Sequence, residues 1–206
     1  MRIGVSSLVS KILCDRHNAA LSGLDDEAGR FFRNLRAIEA ALRTGAGGRR
    51  LVLFAGADVE RWILKALMGA ASSGAARTTE GEQIAWAPSR SWLRVLFGRA
   101  GFPRTWGLYV KGRLGDEIDL DPREVSIAPL CTDGEISGCR ATFAGFEFVL
   151  AMHDVGARRE GALDDLAVQH PDEILFVDAA SNTEQSLCFT WPRGRGGGQV
   201  TVDWRP

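Results

Sequence analysis

The chain has 206 residues, 45% of them hydrophobic and 25% charged, with a formal net charge of −1. At roughly 100–200 residues per domain this is the length of one domain, and the composition excludes a disordered chain, a collagen and a disulfide scaffold. Four cysteines and three histidines exclude a zinc-dense architecture. No apolar run reaches the roughly 18–20 residues of a membrane span, and the stretch MRIGVSSLVSKILC is too broken in hydropathy for a secretory leader. The expectation is a cytoplasmic protein with reduced thiols and no membrane partner.

The small net charge conceals two opposite halves. Residues 1–113 carry 18 Lys and Arg against 9 Asp and Glu, and residues 114–206 carry 7 against 17. Such a split can mark a polyanion-binding face. The plainer expectation is that the halves face each other and neutralise.

In chain order, Ser22 followed by Asp25, Asp26 and Glu27 has the pattern of a helix start, with carboxylates at the positive end of the dipole. Phe31, Leu35, Ile38 and Leu42 then fall on one helical face, and Gly45, Gly47 and Gly48 end the helix. Leu51–Phe54 reads as a short buried strand. A second helix follows, with Asp58 as its N-cap and Val59, Trp62, Ile63, Leu64, Leu67 and Met68 making it apolar nearly all round. Residues 72–81 read as a loop. Pro88 and Ser89 open a third helix that ends at Gly98, with Trp92, Leu93, Leu96 and Phe97 inward.

After Pro103 short β-rich runs recur: 105–110, 125–130, 136–143, 146–153, 174–178, 187–191 and 200–204. Ala144-Gly145 and Asp133-Gly134 mark tight turns between them. A short helix is expected around Gly161–Val168, and Arg193–Gly198 reads as a loop joining the last two strands. The predicted class is α+β: N-terminal helices packed on a C-terminal, mainly antiparallel β-sheet or small barrel. The whole of 1–206 is expected to be a single domain, helix-rich over 1–100 and strand-rich over 101–206. The strand-rich part is expected to hold one sheet of at least five strands.

The stretch Ile12-Leu13-Cys14-Asp15-Arg16-His17-Asn18 carries the best candidate for chemistry. Cys and His two residues apart can supply one side of a tetrahedral zinc site. The Leu-Cys-x-x-His-Asn pattern, with a helix after it, resembles the closing segment of HNH endonuclease zinc-knuckle domains over residues 12–24. The resemblance implies that Cys14 and His17 are metal ligands and that zinc is the one cofactor to consider. It also implies that the catalytic His and the other half-knuckle lie upstream, where this chain starts too late to hold them. That makes it a truncated or decayed relative without the nuclease centre. The segment Glu60–Lys65 is similar to uncharacterised bacterial proteins that join such a knuckle to a larger domain. The plainer reading of the residues is a small buried Cys beside a surface His near a helix cap, with no metal on which the two side chains and two further ligands converge. Cys131 and Cys139 are alternative ligands, a cross-strand disulfide, or ordinary core residues. Cys188, between Leu187 and Phe189, reads as core.

Other patterns carry less. His153-Asp154 ends a strand and lacks a second His nearby. His170-Pro171-Asp172-Glu173 reads as a turn. The acids between Asp116 and Glu124 lack the glycine and the bidentate Glu of a calcium loop. Phosphate cradles and nucleophile elbows are missing from the pattern. Arg30, Arg33, Arg36, Arg43, Arg49 and Arg50, against the single Glu39, form the nucleic-acid-binding candidate. The plainer expectation is that they pair in part with acids from residues 116–178 and form no continuous groove.

Two functions remain open on these grounds. One is a non-catalytic interaction module whose partner is another macromolecule, a protein before a nucleic acid. The other is a metal-dependent nuclease or nucleic-acid-binding protein that uses the Cys/His knuckle and the arginine-rich helix.

Overall fold

The computed structural model describes residues 14–45, 48–74, 86–111, 125–132, 134–153, 167–192 and 196–203. Four helices and nine strands follow in the order α1 (Asp15–Ala20), α2 (Ser22–Thr44), β1 (Gly48–Ala55), α3 (Gly56–Ser72), α4 (Arg90–Leu96), β2 (Gly107–Lys111), β3 (Val125–Thr132), β4 (Glu135–Phe143), β5 (Phe146–Ala151), β6 (Ala167–Gln169), β7 (Glu173–Asp178), β8 (Thr183–Thr190) and β9 (Gln199–Asp203). The fold is α+β.

The helices form where the apolar period is 3.6. In α2 the predicted face of Phe31, Leu35, Ile38 and Leu42 is buried. Gly45 ends the helix in the left-handed conformation, φ 57°, which glycine adopts without a Cβ clash. The start differs from expectation: Ser22 is already helical, and its hydroxyl donates to the Ala19 carbonyl of α1 instead of capping α2. In α3 the cap is Ala55, and Asp58 lies inside the first turn, paired with Arg61. The third predicted helix is α4, and the Ser89 hydroxyl caps it by accepting from the Trp92 amide at 3.2 Å.

The strands divide into two sheets, where one was expected. The order β3-β4-β5-β2-β6 is five-stranded and antiparallel throughout. The second sheet, β1-β8-β7-β9, is mixed: β1 runs parallel to β8, and β9 parallel to β7. A mainly antiparallel sheet was expected, and the parallel pairs arise between strands that are not consecutive in the chain. β1 reaches β8 from the N-terminal half, and β9 passes the end of β7 to lie on its far side. Residues 167–169, expected at the end of a helix, are strand β6; residues 161–166 lie outside the described residues, as do 75–85 and 112–124. Residues 196–198 join β8 to β9 as expected, and 193–195 are outside the description.

One continuous core draws on α2, α3, α4 and both sheets. Phe31 stands at its centre. Its ring meets Phe54 and Phe189 of the mixed sheet at 5.1 and 6.2 Å, and Phe148 and Phe143 of the antiparallel sheet at 5.6 and 6.3 Å. Phe146 and Phe176 close the two sheets on each other at 5.5 Å. No described helix is long and apolar enough to cross a membrane.

Candidate functional site

The Cys14–His17 corner departs from the plainer expectation. Cys14 precedes α1, and the first turn of that helix brings His17 back over it, so that Sγ and Nδ1 stand 3.0 Å apart. Both residues are exposed. Convergence is therefore real, but two donors are half of a tetrahedral set. Among the described residues no cluster of three or more His, Cys, Asp or Glu exists. The described residues do not complete a zinc site.

The other cysteine candidates do not join this corner as ligands. Cys139 is fully buried in β4, and burial pushes its thiol up to about 12. Cys131 is exposed in β3, and neither is in a disulfide. Cys188 is a correction: it lies half-buried on the outward side of β8, because Leu187 and Phe189 take the inward positions. Its thiol is raised by desolvation and then by the neighbouring Glu173 carboxylate.

A cleft of about 210 Å³ opens beside His17, lined by Arg90, Leu93, Arg94, Phe97 and Arg99. The α4 sequence builds it. Arg90 and Arg94 lie one turn apart on the exposed side, while Trp92, Val95 and Leu96 go into the core. Gly98 at φ 66° turns the chain, and the Arg99 amide returns to the Arg94 carbonyl at 2.8 Å. Gly98 makes the left-handed turn that closes a Schellman motif. The turn brings Arg99 round to the same cleft. Like charges one turn apart oppose helix formation by about 0.2–0.5 kcal/mol. Among the described residues no ion pair to Arg90, Arg94 or Arg99 offsets this. The His17 ring meets Phe97 edge-on at 5.4 Å. Sequence reasoning placed Leu93 and Phe97 inward and passed over the three arginines, because only the Gly98 turn brings Arg99 to the other two.

The predicted nucleic-acid set is dispersed. Arg30 grips Glu27 through Nε and Nη2 at 2.9 and 2.6 Å, donates through Nη1 to the Leu53 carbonyl, and stacks on Phe54 at 4.1 Å. That grip holds the Glu27 carboxyl below the usual range, against the opposing effect of burial. Arg43 pairs with Glu39 at 2.6 Å, and Arg50 donates to Asn34 Oδ1 at 3.1 Å. Arg49 lies 3.8 Å from Glu173. Arg33 and Arg36 are exposed. Pairing is thus partial, as expected, but the partners are mainly on α2 itself, and Glu173 is the one reached from 116–178 among the described residues.

Two features were not foreseen. His170, read as part of a turn, is buried, and its Nε2 meets Glu60 Oε1 at 2.7 Å. The same oxygen accepts the Leu108 amide at 2.6 Å, and Trp191 covers the imidazole at 4.4 Å. The pair ties α3 to β2 and to the chain leaving β6, both of the antiparallel sheet, and is buried. The second feature is β1. Its leucines were expected to be buried, but Leu51 is 59% and Leu53 54% exposed. β1 is an edge strand, only alternate residues face the core, and no described element covers the other side of the mixed sheet.

Comparison with protein-family models, with curated proteins and with solved structures finds no match to this chain.

Proposed function

We propose that the chain is a non-catalytic interaction module whose partner is another macromolecule, a protein, docked on the open face of the mixed sheet. The observation that carries this reading is the exposure of Leu51 and Leu53 at the edge of that face, continued inward by half-buried Leu175, Val177 and Cys188. A contiguous exposed apolar patch marks an interaction surface more often than scattered single residues do. The register supports a continuous patch, since Leu53 pairs with Cys188 and both Leu51 and Leu175 with Ser186. The Glu60–His170 pair supports a binding role over turnover, because its sealed position leaves no room for a substrate to meet it.

The test is site-specific photo-crosslinking in the producing cell, with the photoreactive residue at position 53 or, as control, at the exposed Asn182. A protein adduct formed at 53, absent at 182 and lost in the additional variant Leu51→Asp is expected. Equal adducts at both positions, or none at 53, would reject the reading.

A second reading is favoured by one observation, the 3.0 Å convergence of Cys14 and His17: nucleic-acid binding through a metal knuckle with the exposed Arg33 and Arg36. One tightly held zinc per chain, with micromolar DNA or RNA binding that weakens steeply with salt and is lost in Arg33→Glu/Arg36→Glu/Arg43→Glu, would establish it over the first. Absence of both would dismiss it.

A further inference from the structure

We propose that the cleft between α1 and α4 is a binding site for a phosphomonoester, a dianionic phosphate group carried on a small apolar body. It is a different surface from the sheet face and does not depend on that reading. Three guanidinium groups and one imidazole line a single concavity of about 210 Å³. Guanidinium is the planar fork that binds phosphate oxygens in pairs. Among the described residues the lining contains no carboxylate. Arg90, Arg94 and Arg99 form no ion pair among the described residues, as is also true of the exposed Arg33 and Arg36 of α2, while Arg30, Arg43 and Arg61 are each held by an acid of their own helix.

The cluster is assembled by backbone geometry. Arg90 and Arg94 are repelling neighbours one turn apart, and the left-handed Gly98 returns Arg99 to the Arg94 carbonyl. His17 is oriented from outside the cleft: Cys14 Sγ engages Nδ1, which leaves Nε2 for a ligand, and the ring is seated on the edge of Phe97. Phe97 and Leu93, both half-buried, give the cleft an apolar wall that inorganic phosphate would leave uncovered and an organic ester would cover. The charge matches a monoester better than a nucleic-acid strand. A diester carries one charge per phosphate and repeats along a track, whereas the cationic groups here surround one point. Of the arginines that would extend a track, Arg30 and Arg43 of α2 are engaged with Glu27 and Glu39 and Arg50 of β1 with Asn34, which leaves Arg33 and Arg36 alone on that helix.

The experiment is calorimetric titration of the full chain with phenyl phosphate, inorganic phosphate and a single-stranded oligonucleotide bearing a 5′-hydroxyl. Saturable binding of phenyl phosphate, several-fold tighter than inorganic phosphate, is expected. Arg94→Gln and Arg90→Gln should each weaken it about tenfold or more with the thermal midpoint unchanged, while Arg140→Gln on β4, away from the cleft lining, leaves it as it was. Failure of phenyl phosphate to saturate would overturn the proposal. So would unchanged affinity in both cleft variants, an equal loss in Arg140→Gln, or oligonucleotide binding as tight as that of phenyl phosphate.

Discussion

Gly107 shows how tightly single residues are constrained around the Glu60–His170 tie. It sits at φ 123°, and a Cβ there would lie 2.4 Å from Glu60 Oε1 and 2.5 Å from His170 Nε2. Gly107→Ala therefore combines backbone strain with displacement of a buried carboxylate, and should cost about 1–3 kcal/mol or more in guanidinium unfolding. Glu60→Ala leaves the Leu108 amide and the imidazole without an acceptor, a loss of about 1–3 kcal/mol for each unsatisfied buried group; Glu60→Gln keeps an acceptor oxygen and should cost less. Asp178 gives a pH signature. The Ser181 hydroxyl first, and then the Ala180 and Ser181 amides, hold its carboxyl below the usual range against the effect of burial. A depressed folded value means that this stabilisation is complete above the unfolded value of about 3.9 and is lost as the pH falls through the folded one. Asp178→Asn should flatten the acid limb of stability below pH about 4, measured by urea unfolding at stepped pH. His170 was not legible in the sequence for a plain reason: its partner is 110 residues away, and the Pro171-Asp172 that follows it carries an ordinary turn signal.

At the scale of elements, what could be read was whatever has a local period. The α2 face, the near-complete burial of α3, the Ser89 cap of α4 and the seven strand segments after Pro103 all follow from spacing within the element. Pairing partners and caps do not. The residue at an N-cap depends on where the preceding helix stops, and the single residue Leu21 separates α1 from α2 and serves as cap to both, so Ser22 is already inside α2. Of the candidate site, the Cys14–His17 corner was legible as two residues in one helical turn, although Cys14 was expected to be buried and is exposed; the arginine cleft was not, because α4 contributes two of its cations and a left-handed turn the third. Phe31 should be the costliest truncation of α2, since its ring contacts both sheets: Phe31→Ala is expected to lose about 3–5 kcal/mol. Trp62, only half-buried against Phe32 and Phe143, should lose less than that on Trp62→Ala. Thiol labelling checks the strand faces. Cys14 and Cys131 should react in the native protein, and Cys139 only after unfolding, as its full burial requires.

For the whole molecule, the opposed halves of the sequence do not neutralise each other wholesale among the described residues. Arg30–Glu27, Arg43–Glu39, Arg61–Asp58 and Lys65–Asp25 stay within the first half and Arg140–Glu147 within the second. Arg49–Glu173 crosses between them at 3.8 Å on an exposed surface, where such pairs contribute about 0–1 kcal/mol; Arg49→Ala should shift stability by no more than that. What joins the halves is the shared core around Phe31, the pairing of β1 with β8 and of β2 with β5 and β6, and the buried Glu60–His170 pair. Loss of tryptophan fluorescence order and of far-UV ellipticity should therefore coincide in one unfolding transition. Two separated transitions would show that the sheets melt independently.

The parallel union of β1 with β8 also sets a clock. Phe54 and Thr190, joined across that pair, are 136 residues apart in the chain. At about 5–20 residues per second of synthesis, a newly made β1 waits roughly 7–27 s before its neighbour leaves the ribosome. Throughout that interval both of its edges and the side chains of Leu51, Leu53 and Phe54 have no sheet to join. The mixed sheet can be completed only after β9 has been translated, and the nascent chain must be kept from premature association until then.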